Sequence, residues 1–322
     1  MAMELRHLRY FLAVADAMSF TAAAERLHVA QPALSQQIRA LERELGVTLI
    51  ERGARTRALT EAGVRFAARA RRILLEAETA SEEMAGFGSA RRGTVRFGSA
   101  LQSLTEGRVA ALIAGFHREN PGLRVAFREA HTRPLLTWLA HGRLDLALVH
   151  LGEGAGGGEL RIEFEDFPVA IERIYEEPLL LAVGPGHRLA RRRSVRWSEL
   201  GREEFVSFGP GSTVRELAAR AARTAGIPLR SPISAINLGT IRALVSAGLG
   251  VSILPRAAFA LPGPPLRALK LTEPSLTRVV SLARNTIRYE RPASRKFADF
   301  LRKGLRQPQS LKRDAAEPAV GR

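Results

Sequence analysis

The stretch Ser19 to Leu45, SFTAAAERLHVAQPALSQQIRALEREL, admits few structures, because two helical periods are interrupted by three residues that suit neither helix. Ser19 is a good N-cap, its hydroxyl oxygen able to accept an amide that the first turn leaves unpaired. Ala22, Ala23, Ala24 and Leu27 then fall on adjacent turns, and the small alanines let a second helix cross closely. His28-Val29-Ala30 forms the turn. Pro32, which has no amide hydrogen to lose, suits the first position of the next helix, and Gly46 can take the left-handed conformation that ends it. Within that helix Leu34, Ile38, Leu41 and Leu45 make the buried stripe, while Ser35, Gln36, Arg39 and Arg43 project from another face. The unit is a helix-turn-helix. Gln31, Pro32, Ser35, Gln36 and Arg39 are its candidate DNA contacts, since glutamine, serine and arginine pair with base edges or phosphates from a helix in the major groove. The same periodicity would serve an ordinary pair of amphipathic helices in a globular core, so spacing alone leaves both readings open.

The flanking residues narrow the choice. Leu8-Arg9-Tyr10-Phe11-Leu12-Ala13-Val14-Ala15, then Ser19-Phe20, Ala23-Ala24-Glu25-Arg26-Leu27 and Gln31-Pro32-Ala33-Leu34-Ser35 resemble the start of a LysR-type transcriptional regulator. So do Leu41-Glu42-Arg43-Glu44-Leu45-Gly46-Val47, Leu49-Ile50-Glu51-Arg52 and Leu59-Thr60-Glu61-Ala62-Gly63. Ile50 departs from the usual Phe, exchanging one buried side chain for another. Later landmarks similar to the family's effector domain are Phe116 with Pro121, Gly142 to Ala147, His187 to Ala190, and Gly248-Leu249-Gly250-Val251 with Pro255, so the resemblance spans about residues 4 to 304.

The formal charge is +17, yet residues 1–92 hold 14 arginines against 11 acidic residues, so most of the excess lies beyond the helix-turn-helix. Global charge is therefore weak evidence for the DNA site. Better local evidence is Arg52, Arg55 and Arg57, placed between Leu49-Ile50 and Leu59 where a wing could press them onto phosphates or a minor groove. The absence of cysteine excludes disulfides, thiolate metal sites and thiol redox sensing. No run of about eighteen apolar residues occurs, and MAMELRHLRY has no signal-peptide pattern, so a cytoplasmic protein without a membrane partner is expected.

In chain order, residues 5–17 form a first helix with Leu5, Leu8, Phe11, Leu12 and Ala15 facing the core. Thr60 can cap a long helix to about Phe87, in which Phe66, Ala70, Ile73, Ala77, Ala80, Met84 and Phe87 alternate spacings of four and three as a coiled-coil seam does. Gly86 to Gly93 reads as a hinge. Strands and helices then alternate: Thr94–Phe97, Thr105–His117, Leu123–Phe127, Pro134–His141 and Leu144–Val149. A second unit runs through Leu179–Val183, Phe205–Phe208, Thr213–Thr224, Ile233–Ile236, Thr240–Ala247 and Val251–Leu254, and Val279–Ala283 with Pro292–Leu305 return to the first. The alternation predicts a mostly parallel sheet with helices on both faces. The expected divisions are 1–60 for an all-α winged helix-turn-helix domain and 61–92 for a linker helix and hinge. Residues 93–170 with 267–305 are assigned to lobe I, 171–266 to lobe II, and 306–322 to a disordered tail. The resemblance gives the C-terminal part a two-lobed α/β fold like that of periplasmic binding proteins.

In such folds ligands bind beyond the carboxyl ends of strands, where helix N-termini offer amide donors. Candidate effector residues are Ser99, Ala100 and Gln102 after the first strand, His131, Thr132 and Arg133 after the second, and Phe208, Asn237 and Thr240 in the second unit. These donors suit a small anion, most simply a carboxylate. Ser99, Ser212 and Thr240 would equally make sensible helix caps. Gly152 to Gly157 carries the letters of a dinucleotide fingerprint, but Glu159 to Phe164 reads as a strand where the fingerprint needs a helix. The seven histidines lack ligand spacing, and neither a GxSxG elbow nor a lysine-bearing phosphate loop is present, so no metal, cofactor or enzyme activity is expected. The resemblance implies a promoter-binding homo-oligomer, commonly a dimer of dimers paired through linker helices; RNA polymerase is a further candidate partner. The rival reading is an architectural DNA-binding protein without effector control.

Overall fold

A computed structural model describes residues 3–51, 58–86, 93–100, 107–151, 159–165, 167–287 and 290–306, the side chains of 79, 82, 83, 85 and 86 excepted. The N-terminal unit is built from α1 (Leu5–Ala17), α2 (Phe20–Leu27), α3 (Gln31–Leu45) and the start of α4 (Glu61–Gly86). Ser19 caps α2 by accepting from the Ala22 amide at 3.3 Å, and His28, in the left-handed region at φ 55°, turns the chain. Helix α3 begins one residue earlier than the sequence suggests, which puts Pro32 in its second position, and Gly46 ends it at φ 70°. Leu8, Phe11, Ala23, Leu34, Ile38, Leu41 and Ile50 share one core. Leu5 does not join it: at the first turn of α1 it is 40% exposed. Ile50 and Leu59 form an antiparallel bridge at the base of the wing, and the Glu51 amide donates to the Ala58 carbonyl at 2.9 Å.

The expected seam on α4 divides between two environments. Phe66 meets Phe11 edge-on at 5.2 Å between centroids, and Ala70 is buried in the same core, so this end packs on its own domain. Ile73 and Met84 remain 39% and 63% exposed. Leu75, off the seam, is buried against Ala140 and Phe167 of the C-terminal part. Phe87 and residues 87–92 of the expected hinge lie outside the described residues.

The C-terminal part places β1 (Gly93–Ala100), β2 (Leu123–Ala130), β3 (Leu146–Leu151), β4 (Glu159–Phe164), β5 (Phe167–Val183), β6 (Ser194–Arg196), β9 (Ser252–Pro255), β10 (Arg267–Thr272) and β11 (Leu276–Asn285) in one sheet. Its order is β2-β1-β3-β11-β5-β10-β6, with β4 and β9 also on β5. A second, two-stranded sheet pairs β7 (Glu204–Phe208) with β8 (Arg230–Ala235) in parallel. The large sheet is mixed rather than mostly parallel: β1 runs parallel to β2 and β3, but β11 is antiparallel to both β3 and β5. The cause is β5, which does not stop between the units but runs 17 residues from one to the other, so the returning β11 must oppose it. Helices α5 (Arg108–Glu119), α6 (Thr132–Ala140) and α9 (Pro292–Arg306) cover the first unit, and α7 (Thr213–Thr224) and α8 (Leu238–Ser246) the second. The second core extends past the expected boundary at 266, since Leu269, Leu271 and Leu276 lie in it.

Candidate functional site

On α3, Gln31, Pro32, Gln36 and Arg39 are exposed and Ser35 is half-buried, all turned away from the stripe of Leu34, Ile38 and Leu41. Gln36, Arg39 and Arg43 border an open groove of about 810 Å³ whose other side is Gly46, Val47 and Thr48. Glu42 fixes this helix against the wing: its Oε1 accepts the Leu49 amide at 2.9 Å and the Ile50 amide at 3.2 Å. Thr60 adds a second tie, donating to the Thr48 carbonyl at 2.7 Å and accepting the Gly63 amide at 2.9 Å. Arg52, Arg55 and Arg57 lie outside the described residues. What the described surface offers is a polar, cationic helix face with rigid backing, suited to a groove of duplex DNA.

The second site is assembled at the ends of β1, β2 and β3. Ser99 and Ala100 are the last residues of β1, not a loop after it, and Ser99 stands in register with Glu129 on one side and Leu148 on the other. The Ser99 hydroxyl is fully buried and finds no hydrogen-bond partner among the described residues, so it is not a helix cap. Ser212 precedes α7, yet its hydroxyl is likewise buried and unpartnered. Two lone hydroxyls in such positions are costly unless another group completes them.

The His150 main chain joins the two units. Thr132 Oγ1 donates to the His150 carbonyl and accepts its amide, both at 3.1 Å, and Thr213 Oγ1 at the start of α7 donates to that carbonyl at 3.3 Å. The N-termini of α6 and α7 are thus drawn to one strand end from opposite lobes. His131, the N-cap residue of α6, leans on Gly211, where an added Cβ would stand 3.4 Å from the imidazole Cδ2. Arg133 is exposed on α6 and makes no ion pair among the described residues. The Ile236 loop is tied in through the Gly209 amide, which donates to Ala235 at 3.1 Å. Thr132 and Thr213 thus meet at the His150 main chain and His131 meets Gly211, which brings the N-termini of α6 and α7 together; Ser99 lies on the adjoining strand β1 and Arg133 on the exposed side of α6.

Three expectations change. Phe208 offers no surface to an effector, because its ring is buried in the second core, whereas Ile236, just after β8, is 67% exposed. Asn237 is spent as the N-cap of α8, its Oδ1 accepting from the Gly239 and Thr240 amides at 2.7 and 3.3 Å. Thr240 sits inside that cap as an exposed residue of the first turn. Gln102 and the glycine run 152–157 lie outside the described residues.

The sequence reading missed a buried charged group beside this site. Arg278 on β11 pairs with Glu177 on β5, its Nε 2.7 Å from Oε2, and its Nη1 lies 3.3 Å from His150 Nδ1. Arginine has no acceptor, so His150 Nδ1 must accept and the ring proton sits on Nε2. Burial, followed by the Arg278 charge, holds the His150 pKa well below its ordinary value. The available signal was a histidine closing the apolar run Leu146–Val149. At the opposite end of β3, burial would raise the Asp145 carboxyl, but hydrogen bonds from Arg96 and the Arg96 and Arg291 charges outweigh it and hold the group below its usual range.

Comparisons with known proteins agree with this division. Residues 5–64 match the model described as bacterial regulatory helix-turn-helix protein, lysR family, and residues 88–306 match the LysR substrate binding domain. The Escherichia coli K12 protein YnfL, an uncharacterised helix-turn-helix transcriptional regulator, is 33% identical over 313 residues, 95% of this chain and 100% of that one. A full-length OxyR variant from Pseudomonas aeruginosa superposes with a TM-score of 0.65 at 25% identity, over 95% of this chain and 96% of that chain. Full-length CbnR complexed with its target DNA gives 0.52 at 25% identity, covering 94% and 100%. The two matched segments and their order leave one conclusion: this chain belongs to the LysR family of DNA-binding transcriptional regulators, with an N-terminal helix-turn-helix and a C-terminal effector-binding domain.

Proposed function

We propose that the protein binds promoter DNA sequence-specifically, and that a small anionic effector held between the lobes modulates binding and DNA bending. In this reading Ser35 and Gln36 contact bases from α3, while Gln31, Pro32 and Arg39, with Arg52, Arg55 and Arg57 of the wing, hold the backbone. The observation that carries it is the exposed Gln36–Arg39 face bordering an open groove, and the complex of CbnR with target DNA supports it. The effector is a carboxylate or a comparable small anion. The unpartnered Ser99 and Ser212 hydroxyls, the amide ends of α6 and α7, and His131 with Arg133 favour negative charge there. With no cysteine in the chain, the signal is a bound ligand rather than thiol oxidation. The working form is a homo-oligomer, a dimer of dimers joined partly through α4, acting in the cytoplasm and answering to RNA polymerase.

Footprinting on DNA flanking the protein's own gene, with and without a panel of small organic acids, tests this. A protected partly palindromic site whose pattern shifts with one acid is expected. Ser99→Ala with Arg133→Ala should abolish that shift while leaving acid-free operator affinity nearly unchanged. Equal affinity for operator and random duplex would instead favour an architectural protein, and a response only to cations or neutral compounds would remove the anion assignment.

A further inference from the structure

A cavity of about 700 Å³ lies on the second lobe, lined by residues of β5, β10, the start of β11 and the turn before β6, none of which is among those assigned to the effector cleft. Its floor is apolar, formed by Pro178 and Leu180 of β5 and Leu276 of β11. Its rim carries five cations, Arg192, Arg193, Arg256, Arg267 and Lys270, and no acidic side chain lines it among the described residues. Among the described residues Arg192 alone of these has an ion-pair partner, Glu199, whose pKa is lowered to about 2 by that bond and the Arg196 amide. The other four form no ion pair among the described residues. These cations come from three separate stretches, the turn before β6, the residue after β9, and β10, and backbone pairing draws them together: the Lys270 amide donates to the Arg193 carbonyl at 3.0 Å. Like charges gathered around a hollow repel one another in the empty protein, and that repulsion is relieved when an anion enters.

We propose that this cavity is a second ligand site, for a multiply charged phosphorylated organic anion with an apolar body, as in nucleotides and coenzyme A. The volume lies within the roughly 300–1,000 Å³ of small-molecule pockets. A lone carboxylate would leave most of the rim unneutralised, whereas guanidinium forks match phosphate oxygens two at a time. The apolar floor gives the rest of the molecule a surface to cover, which inorganic phosphate would leave bare. Since Leu180 and Leu276 lie on the two strands that cross between the lobes, occupancy at this site bears on the same elements as the effector.

The test is titration calorimetry on the full-length protein with ATP, coenzyme A and inorganic pyrophosphate, at low and raised salt. One organic phosphate should bind once per chain, weaken as salt rises, and outcompete pyrophosphate; which of the two wins identifies the body. Arg256→Ser with Arg267→Ser should weaken binding about tenfold or more, and Lys270→Ala gives the same reading if the double variant folds poorly. Ser99→Ala with Arg133→Ala should leave it intact, so failure here is separable from failure of the effector cleft. The proposal is overturned if neither organic phosphate binds, if pyrophosphate binds as tightly, or if the rim variants bind like the parent. It also falls if those variants dissociate the oligomer without ligand, which would make the face a subunit contact.

Discussion

A Cβ on Gly63 would stand 2.0 Å from the Leu49 carbonyl oxygen, so the last letter of the Leu59-Thr60-Glu61-Ala62-Gly63 motif is a packing requirement between the wing and the start of α4. Gly63→Ala should therefore destabilise the N-terminal domain by about 1–3 kcal/mol, read as a lower urea midpoint of its transition. The DNA contacts separate by role. Gln36→Ala should cost about 1–3 kcal/mol on the operator and relax base preference, while Arg55→Ala should weaken all duplexes alike and shallow the log-log salt slope by about one. Gel-shift titrations over a salt series distinguish them, and an identical, sequence-independent loss from both would refute the division. His150 titrates into stability. Its folded pKa is depressed below 6.5, so acid protonates the unfolded chain first, and stability is lost as pH falls below that value. His150→Gln, which keeps an acceptor for Arg278, should flatten this limb below pH 6.5, leaving the Asp145-dependent loss, which begins nearer its ordinary 3.8.

Helix α4 carries one message at each end. Its first turns are held by Phe11 and the α1 core, and Leu75 touches the effector part through Phe167, which leaves Ile73 and Met84 open for a partner helix. Ile73→Asp should reduce the sedimenting mass of the protein while both domains keep their melting transitions; an unchanged mass would reassign this face to solvent. Elements with a clean period were legible: Ser19, Gly46 and the Leu34–Ile38–Leu41 stripe fix α2 and α3, and α7 falls where its amphipathic pattern puts it, Thr213–Thr224. The cleft was legible by location but not by residue. Strand-to-helix loops mark where ligands go, yet nothing local says that Phe208 turns inward, that Asn237 is used up on two amides, or that Ser99 lies inside a strand. The cations of the second-lobe cavity were less legible still, because residues 192 and 267 meet only through pairing of β6 and β10. The length of β5 was hidden for a related reason: Glu172, Arg173, Glu176 and Glu177 interrupt its apolar character, and partners as far away as Arg278, Arg302 and Arg306 make them tolerable in a strand.

At the scale of the whole molecule, the two lobes are joined by backbone rather than by a loose linker. From Leu276 to Asn285, β11 follows β5 from Leu179 back to Val169, with one irregularity where Val280 and Ser281 oppose Tyr175 and Arg173 and Ile174 is skipped. An effector worth about 1–3 kcal/mol in lobe preference would change the regulatory equilibrium by roughly 5 to 150-fold, and a continuous ladder suits such a modest, torsional adjustment better than a wide swing. It also has a consequence for ancestry and for engineering. A lobe cannot be lifted from one relative and set into another at the chain positions where the cores divide, because each cut would fall in the middle of a paired strand and leave half a register to be matched by foreign sequence. The workable seams in this architecture lie before β1 and after α9, so new specificities are to be sought by changing side chains in the cleft, with the pair of lobes inherited whole.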